Sequence, residues 1–174
     1  MATRKTAKRP QAAAAKPTKR PATESRHPRM LPSTKAEVAA IARLRRVCMA
    51  LPDVTEKIAW GEPTWRAGKI FAQMDTHHHG ADHVAVWLPA RPGVQEELVA
   101  DDPARYFRPP YVGHKGWIGV RIDGTPDWNA VASLVGDAYR LVASPRRRAR
   151  LDAERTKQPR GRRARWVDAV GRDA

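Results

Sequence analysis

The sequence predicts an α+β protein, a two-layer sandwich in which helices pack on one face of an antiparallel sheet, flanked by disordered basic tails. Three observations support this prediction. Apolar residues recur at helical spacing in a segment near each end of the central region. Short segments of alternating polarity, separated by glycine turns, lie between the two helices, as in a meander of strands. Lysine and arginine are concentrated at the two ends of the 174-residue chain.

The distribution of charge divides the chain into three parts. The net charge is +15, but residues 1–35 hold ten Lys/Arg against one acid, and residues 145–174 hold eleven against four, so that residues 36–144 carry a net charge of −1. Segments of like charge with few apolar residues cannot bury enough surface to fold and typically stay disordered. Met30 is an alternative start of the chain. The expected parts are a disordered basic Ala/Pro/Lys arm, a folded domain and a basic Arg-rich tail, at residues 1–32, 33–144 and 145–174.

A helix is predicted at the start of the folded domain. Thr34 and Glu37 have the spacing of a capping box, and Pro52 ends the helix. The apolar residues between them recur at intervals of three or four and define one face: Val38, Ile41, Leu44, Cys48 and Leu51. Cys48 is interpreted as a small core residue. Because it is the one cysteine of the chain, an internal disulfide and a cysteine-built zinc site are excluded.

Strands are predicted after this helix. Residues 62–66 and 69–74 form a hairpin around the Ala67-Gly68 turn, and residues 83–88 follow a polar loop over 75–82. A meander of antiparallel strands is therefore expected.

The second half of the domain is predicted to return to the sheet and to end in a helix. A short helix is expected over 92–99, an irregular proline-bearing connection over 103–116, and a fourth strand over 117–122. Asp127 is predicted to cap the last helix, which the Ser144-Pro145 pair ends.

The two faces of the predicted sheet differ in chemistry. Alternation along the strands places one apolar set against the helices: Ile70, Ala72, Met74, Val84, Val86, Leu88, Ile118, Val120 and Ile122. The opposite face would then present Phe71, Gln73, Trp87, Trp117 and Arg121. Such a surface could stack bases or hold a planar ligand. Alternatively, segment 103–116 and the tail cover it, which is favoured because several exposed tryptophans are unusual on a monomer.

Several short motifs, in this order and spacing, together resemble the MmcQ/YjbR family. They are Leu51-Pro52-Asp53, Gly61-Glu62-Pro63-Thr64-Trp65, Gly68-Lys69-Ile70-Phe71-Ala72, Gly116-Trp117-Ile118-Gly119-Val120, Asp127-Trp128 and Ala138-Tyr139. The resemblance covers about residues 36–144 and neither tail. It implies a fold similar to that of the bacterial frataxin-like (CyaY-like) proteins, and DNA binding by likeness of shape. The sequence departs from the family at 86–89, where many members carry a lysine, and at Ala138, where a serine is usual.

The basic ends predict a polyanionic partner, with DNA favoured over RNA and over a membrane. The basic segments lack the Trp/Phe/Leu face that an interfacial helix needs. The run Pro159-Arg160-Gly161-Arg162 resembles the core of an AT-hook, in which glycine lets the backbone lie in a narrow A·T minor groove whose negative potential attracts arginine. A generic solvated basic tail is the alternative. The candidate contacts are Arg160, Gly161, Arg162, Arg163, Arg165, Arg146, Arg147, Arg148, Lys8, Arg9, Lys19 and Arg20.

The segment at 144–151 has two interpretations. A Ser-Pro turn followed by three arginines can enter a minor groove in the same way as the hook. Equally, Ser144 can cap, and Pro145 can begin, a short helix through Leu151, and this second interpretation is slightly favoured.

Other chemistry is less well supported by the sequence. A cluster of His77, His78, His79, His83, Asp75 and Asp82 invites a metal site, but adjacent histidines in a loop seldom provide a preformed geometry, so no metal is predicted. No catalytic arrangement stands out, so neither an enzyme nor a cofactor is expected. An acid–base site at Glu62 and His114 would require a deep pocket.

The sequence therefore predicts a DNA-binding protein that acts mainly through electrostatic contacts of its tails. The alternative is a domain that binds a small ligand or a protein with the aromatic face of the sheet. No apolar run is long enough to span a membrane and no secretory signal is present, so the expected location is the cytoplasm, at the nucleoid.

Overall fold

The computed structural model describes Pro32 and residues 34–156, which form a six-stranded antiparallel sheet and four α-helices. In chain order the elements are α1 (Lys35–Met49), β1 (Thr55–Ala59), β2 (Glu62–Ala67), β3 (Lys69–Thr76), β4 (Val84–Pro89), α2 (Val94–Asp101), β5 (Tyr106–Phe107), β6 (Trp117–Arg121), α3 (Trp128–Val142) and α4 (Pro145–Thr156). The strands are arranged β1-β2-β3-β4-β6-β5, and α3 packs on β3 and β4. The predicted α+β class is confirmed, and the arrangement is consistent with a two-layer sandwich.

Helix α1 begins with the predicted capping box. Thr34 Oγ1 accepts a hydrogen bond from the Glu37 amide, and the Glu37 carboxylate accepts one from the Thr34 amide. The buried residues of this helix lie in its C-terminal half, at Leu44, Val47 and Cys48. The prediction that Val38 lies on the buried stripe is therefore wrong, since Val38 is more than half exposed.

Cys48 is a core residue, as predicted. Its side chain is fully buried. Burial, and to a smaller degree the negative charge of Glu56, raises the pKa of the Cys48 thiol well above its usual range. A buried thiol held in its neutral form is a poor nucleophile.

Strand β1 is an additional strand that the sequence patterns do not predict. It pairs antiparallel with β2, from Thr55 opposite Arg66 to Ala59 opposite Glu62. Because it lies at the edge of the sheet, its one large apolar residue, Ile58, is exposed, and no alternating pattern marks the strand. The turn that joins β1 to β2 is defined by two residues with positive φ, as in a type I′ hairpin.

A β-bulge changes the predicted faces of β3. Trp65 pairs with Ala72 but Arg66 pairs with Ile70, so Phe71 is an additional residue on β3. A bulge interrupts the alternation of side chains. Phe71 therefore packs edge-on against Tyr139 of α3, with ring centroids 5.6 Å apart, and its predicted place on the opposite face is wrong. Ile70, predicted to face the helices, is half-buried and lies outside the core.

The other apolar positions predicted to face the helices are confirmed. All lie in one hydrophobic core: Ala72, Met74, Val84, Val86, Leu88, Ile118, Val120 and Ile122. Helix α3 begins at the predicted cap, where the Asp127 carboxylate accepts hydrogen bonds from the Asn129 and Ala130 amides. Near the end of α3, the Tyr139 hydroxyl donates to the Pro52 carbonyl over 2.9 Å and ties the helix to the segment after α1.

The folded part of the chain extends beyond the boundary predicted at residue 144. Ser144 Oγ accepts a hydrogen bond from the Arg147 amide at 3.5 Å, so Ser144 caps α4 as the second interpretation of this segment proposed. Leu151 of α4 is 2% exposed and belongs to the hydrophobic core. Residues 145–156, which the sequence analysis assigned to the basic tail, are therefore part of the domain.

His77 links the loop after β3 to the first turn of α1. Its Nδ1 lies 3.1 Å from the Ala81 carbonyl, and its Nε2 lies 3.4 Å from the Glu37 carboxylate. Burial lowers the pKa of His77, but the hydrogen bonds with Ala81 and Glu37 outweigh it, so the pKa of the folded state is above the ordinary value of 6.5.

We therefore expect His77→Asn to lower stability more at low pH than at high pH. Asparagine tolerates the positive φ of this residue but carries no charge. Since the folded-state pKa is raised, the stabilisation by protonated His77 is fully present below the unfolded pKa of about 6.5 and is lost as the pH rises through the folded pKa. Urea unfolding should show that the substitution costs about 0.5–1 kcal/mol more at pH 5.5 than at pH 9, as for a solvent-screened ion pair. An equal loss at both pH values would contradict the ion pair with Glu37.

Candidate nucleic-acid interface

Nine of the predicted contacts lie outside the described residues. They are Lys8, Arg9, Lys19, Arg20, Arg160, Gly161, Arg162, Arg163 and Arg165. Residues 1–33 carry a net charge of +8 and residues 157–174 a net charge of +4, whereas residues 34–156 hold eighteen Lys/Arg and fifteen Asp/Glu. The excess positive charge therefore lies mainly outside the folded domain.

The three predicted contacts at the start of α4 have different surroundings. Arg147 is half-buried, and its Nη1 donates at 3.3 Å to the carbonyl of Ala67, the last residue of β2 before the turn to β3. Arg146 and Arg148 are exposed, and Arg148 Nη1 donates to the Arg140 carbonyl at 3.5 Å. Arg147 thus fixes α4 to the sheet, while its two neighbours present their charges to solvent.

Basic residues flank both sides of this contact along the chain. We use the name basic corner for Arg146 and Arg148, the neighbours of Arg147, and for the exposed Lys69, which follows Gly68. Arg146 and Lys69 belong to no ion pair within the described part of the chain. By contrast, Arg150, further along α4, pairs with Asp53 at 2.8 Å.

Most other arginines of the domain are neutralised by a nearby carboxylate. Arg45 pairs with Glu56 at 2.7 Å, and similar pairs at 3.3–3.4 Å join Arg91 to Asp137, Arg105 to Asp102, Arg108 to Glu96 and Arg140 to Asp152. Such pairs reduce the net field over the folded surface. The basic corner is therefore a local feature in a surface of balanced charge.

The tip of the β1–β2 hairpin is a second exposed feature. Trp60 is 61% exposed and Ile58 is 57% exposed, and Lys57 on the same strand is exposed as well. The tip is not predicted by the sequence patterns, because β1 itself shows no apolar alternation. The Trp60-Gly61 pair between two short segments is the signal that could have located it.

The face of the sheet opposite the helices is covered, as the sequence analysis favoured. Gln73 and Trp87 are directly opposite each other on β3 and β4 and are both buried, with Trp87 only 2% exposed. Phe107, from the segment predicted to be irregular, lies over Gly119, where an added Cβ would be 2.3 Å from its ring. Trp117 and Arg121 are half-buried on β6. Trp87, whose partner on β6 is Gly119, is therefore buried on this face, and Phe107 of segment 103–116 covers the same strand pair.

Buried Asp75 organises the polar part of this covered face. Its carboxylate accepts hydrogen bonds from the Trp87 indole at 2.8 Å and from the His78 amide at 2.9 Å, and His83 Nε2 lies 3.3 Å away. The rings of Trp87 and Tyr111 both meet the His78 ring edge-on. These histidines pack against aromatic rings, and within residues 34–156 no group of three or more His, Cys, Asp or Glu side chains could hold a metal ion.

A cavity of about 290 Å³ lies at the end of β6. Arg105 and Arg121 line it, together with Asp102 and Asp123. A hydrogen bond from Arg121 to Asp123, 2.9 Å long, raises the pKa of the guanidinium despite partial burial. Each arginine has its own carboxylate, so the cavity has no excess charge with which to attract an anion.

The residues suggested for acid–base chemistry have different environments. Glu62 is buried, and its carboxylate accepts hydrogen bonds from the amide and hydroxyl of Thr76 at 3.3 and 3.2 Å. His114 is exposed in a short 3₁₀ turn before β6. In the part of the chain that the structure describes, no helix has both the length and the apolar character needed to cross a bilayer.

Comparisons with known proteins address the fold. The model of the YjbR family matches residues 49–141. The crystal structure of the Deinococcus radiodurans protein DR2400, which carries a DUF419 domain, is similar with a TM-score of 0.54 and 23% sequence identity, over 64% of this chain and 87% of that chain. At that identity the likeness extends to the fold alone. No curated protein matches the sequence.

Proposed function

The chain belongs to the YjbR family, and from this premise we propose that it is a DNA-binding protein. Its basic ends neutralise phosphates, and the folded domain connects the two ends. The observation that carries the proposal is the separation of charge. Residues 1–33 and 157–174 carry +8 and +4, against +3 on the 123 residues between them, where seven arginines are paired with acids. Lysine and arginine side chains that contact phosphates release counterions from DNA, and this release is the main source of non-specific affinity.

The domain adds a defined starting point for the C-terminal segment. Helix α4 is fixed to the sheet through Arg147 and Leu151, and the basic residues from Lys157 onward follow its last residue, Thr156. The basic corner at the start of α4 adds charge to the same helix. In this proposal the domain supplies no catalysis, and the protein acts at the nucleoid.

The rival function, binding of a small ligand or a protein on the aromatic face, has weaker support. Trp87 and Gln73 are buried, and Phe71 belongs to the core on the other side of the sheet. A ligand would first have to displace Phe107 and its segment from Gly119. No observation favours this function over DNA binding.

The hook-like run gives the proposal a specific test. In full-length protein, we expect Arg160→Lys with Arg162→Lys to abolish a preference for A·T-rich over G·C-rich duplex while changing the affinity for G·C-rich duplex less than about threefold. Lysine keeps the charge but is a more strongly hydrated point charge, less suited to a narrow minor groove. Fluorescence anisotropy titrations on the two duplexes measure both effects.

Arg146→Lys with Arg148→Lys is the matched control, because it makes the same change outside the hook-like run. A wild-type protein with equal affinity for both duplexes would contradict the hook and leave a purely electrostatic contact. Absence of binding to any duplex or single strand at 20 mM salt would refute the function itself.

A further inference from the structure

Trp60 occupies a backbone position that its side chain disfavours. Its φ is +54° and that of Gly61 is +83°, the conformation of a type I′ turn. Asparagine and glycine are preferred there, while a bulky residue at positive φ is strained. Burial of the indole does not offset this strain, because Trp60 is 61% exposed. Strained positions of this kind cluster at functional sites.

The hairpin that carries Trp60 is held firmly. Five residue pairs join β1 to β2, and Thr64 Oγ1 donates to the Lys57 carbonyl at 2.8 Å. Glu56 accepts a hydrogen bond from the Trp65 indole at 3.1 Å and pairs with Arg45 of α1. The indole of Trp60 is therefore presented to solvent from a support anchored in both layers of the fold.

The charge around the tip indicates which partner fits it. Lys57 is exposed on the edge strand, without an acidic partner among residues 34–156. A lysine on an edge strand opposes the addition of a strand from another protein. A net charge of +15 opposes a second copy of the chain. A nucleic acid is the partner that fits the tip, because it supplies phosphates for Lys57 and base faces for the indole.

We propose that Trp60 stacks on an unpaired base, so that the protein binds single-stranded or locally opened DNA more tightly than closed duplex. The inference rests on the proposed function and adds the form of DNA recognised. A single exposed ring at a narrow tip meets the face of an unstacked base, whereas the bases of a closed duplex are already stacked on their neighbours. Lys57 precedes Trp60 by three residues, which is about 10 Å along β1. In this proposal Lys57 contacts the phosphate backbone of the DNA strand whose base stacks on Trp60.

The test compares full-length wild type with Trp60→Asn and Trp60→Phe. The probes are a 15-nucleotide single strand, the same strand with a central 2-aminopurine, and the corresponding closed duplex. Trp60→Asn should weaken binding to the single strand about tenfold and to the duplex less than twofold, and it should abolish the quenching of 2-aminopurine. Trp60→Phe should retain most of the affinity and the quenching, because it keeps an aromatic face.

The variants separate this role from a structural one. Asn-Gly is a preferred pair in a type I′ turn, so Trp60→Asn should fold at least as stably as wild type, and lost affinity cannot be ascribed to unfolding. Tyr111→Asn is the control, because Tyr111 is also exposed and has a φ of +62° but lies away from the hairpin tip, in the segment between β5 and β6. It should leave the preference for single strands intact.

The outcomes distinguish this inference from the function on which it rests. A wild-type protein that binds no nucleic acid at 20 mM salt would overturn both. Wild-type binding that is equal for single strand and duplex, or a Trp60→Asn variant that weakens both equally, would overturn the stacking role and leave DNA binding in place.

Discussion

Removal of residues 1–31 and 157–174 is expected to lower the affinity for duplex DNA at least a hundredfold at 50 mM salt. The removed segments hold fifteen of the 33 Lys/Arg residues, and the fragment 32–156 that remains carries a net charge of +3. Each phosphate contact contributes about 0.9 to the slope of log affinity against log salt concentration. If full-length protein makes six to ten such contacts, its affinity should fall about 10³- to 10⁵-fold between 50 and 200 mM salt, and the fragment should show a much shallower slope.

The fragment must end after Thr156 and not after residue 144 for this comparison to be valid. Leu151 lies in the hydrophobic core and Arg147 is bonded to the β2–β3 turn, so a shorter fragment would lose folded structure together with charge. Circular dichroism of the fragment checks that it stays folded. A full-length variant with the terminal Lys and Arg residues changed to Gln separates charge from chain length. Full affinity in the fragment would place the binding surface on the basic corner or the hairpin tip instead of the terminal segments.

Local sequence signals predicted the helix starts and most of the core. The capping box at Thr34 and the cap at Asp127 depend on residues within three positions of each other, so the sequence alone defines them. The core residues of β4 and β6 alternate along each strand, as expected where a strand pairs regularly on both sides, although the residues between them are buried as well.

Two features could not be predicted because they depend on contacts between distant residues. The bulge at Phe71 is a property of how β3 pairs with β2, and one additional residue moves the side chain from the opposite face into contact with Tyr139. Strand β1 has no apolar pattern because its position at the sheet edge leaves Ile58 exposed. The hairpin tip at Trp60 could not be predicted without this strand.

The boundary of the domain shows how composition can mislead. Residues 145–156 hold five arginines, which favoured assignment to the tail, yet two acids on the same helix form ion pairs: Asp152 with Arg140, and Glu154 with Arg150. One buried leucine, Leu151, attaches this 12-residue helix to the core, together with the hydrogen bond from Arg147 to the Ala67 carbonyl. Net charge alone did not distinguish a paired basic helix from a solvated tail.

Leu151→Ala is therefore expected to destabilise the protein by about 2–4 kcal/mol. Truncation of a buried leucine loses the transfer free energy of its methyl groups and leaves a cavity that the surroundings fill only in part. The measurement is the free energy of unfolding in urea, by circular dichroism on the full-length chain. A loss of this size would lower the midpoint clearly, because domains of this size are stable by only about 5–15 kcal/mol.

Leu141→Ala provides the matched control on the adjacent helix α3. The chemical change is the same, but Leu141 is 43% exposed, so it should cost less than about 1 kcal/mol. The difference between the two variants reports the burial of α4, because both substitutions have the same effect on helix propensity. If Leu151→Ala cost no more than Leu141→Ala, α4 would contribute nothing to the core, and the basic tail would begin at residue 145 after all. A large difference would confirm that α4 is a folded helix of the domain, packed on its core through Leu151.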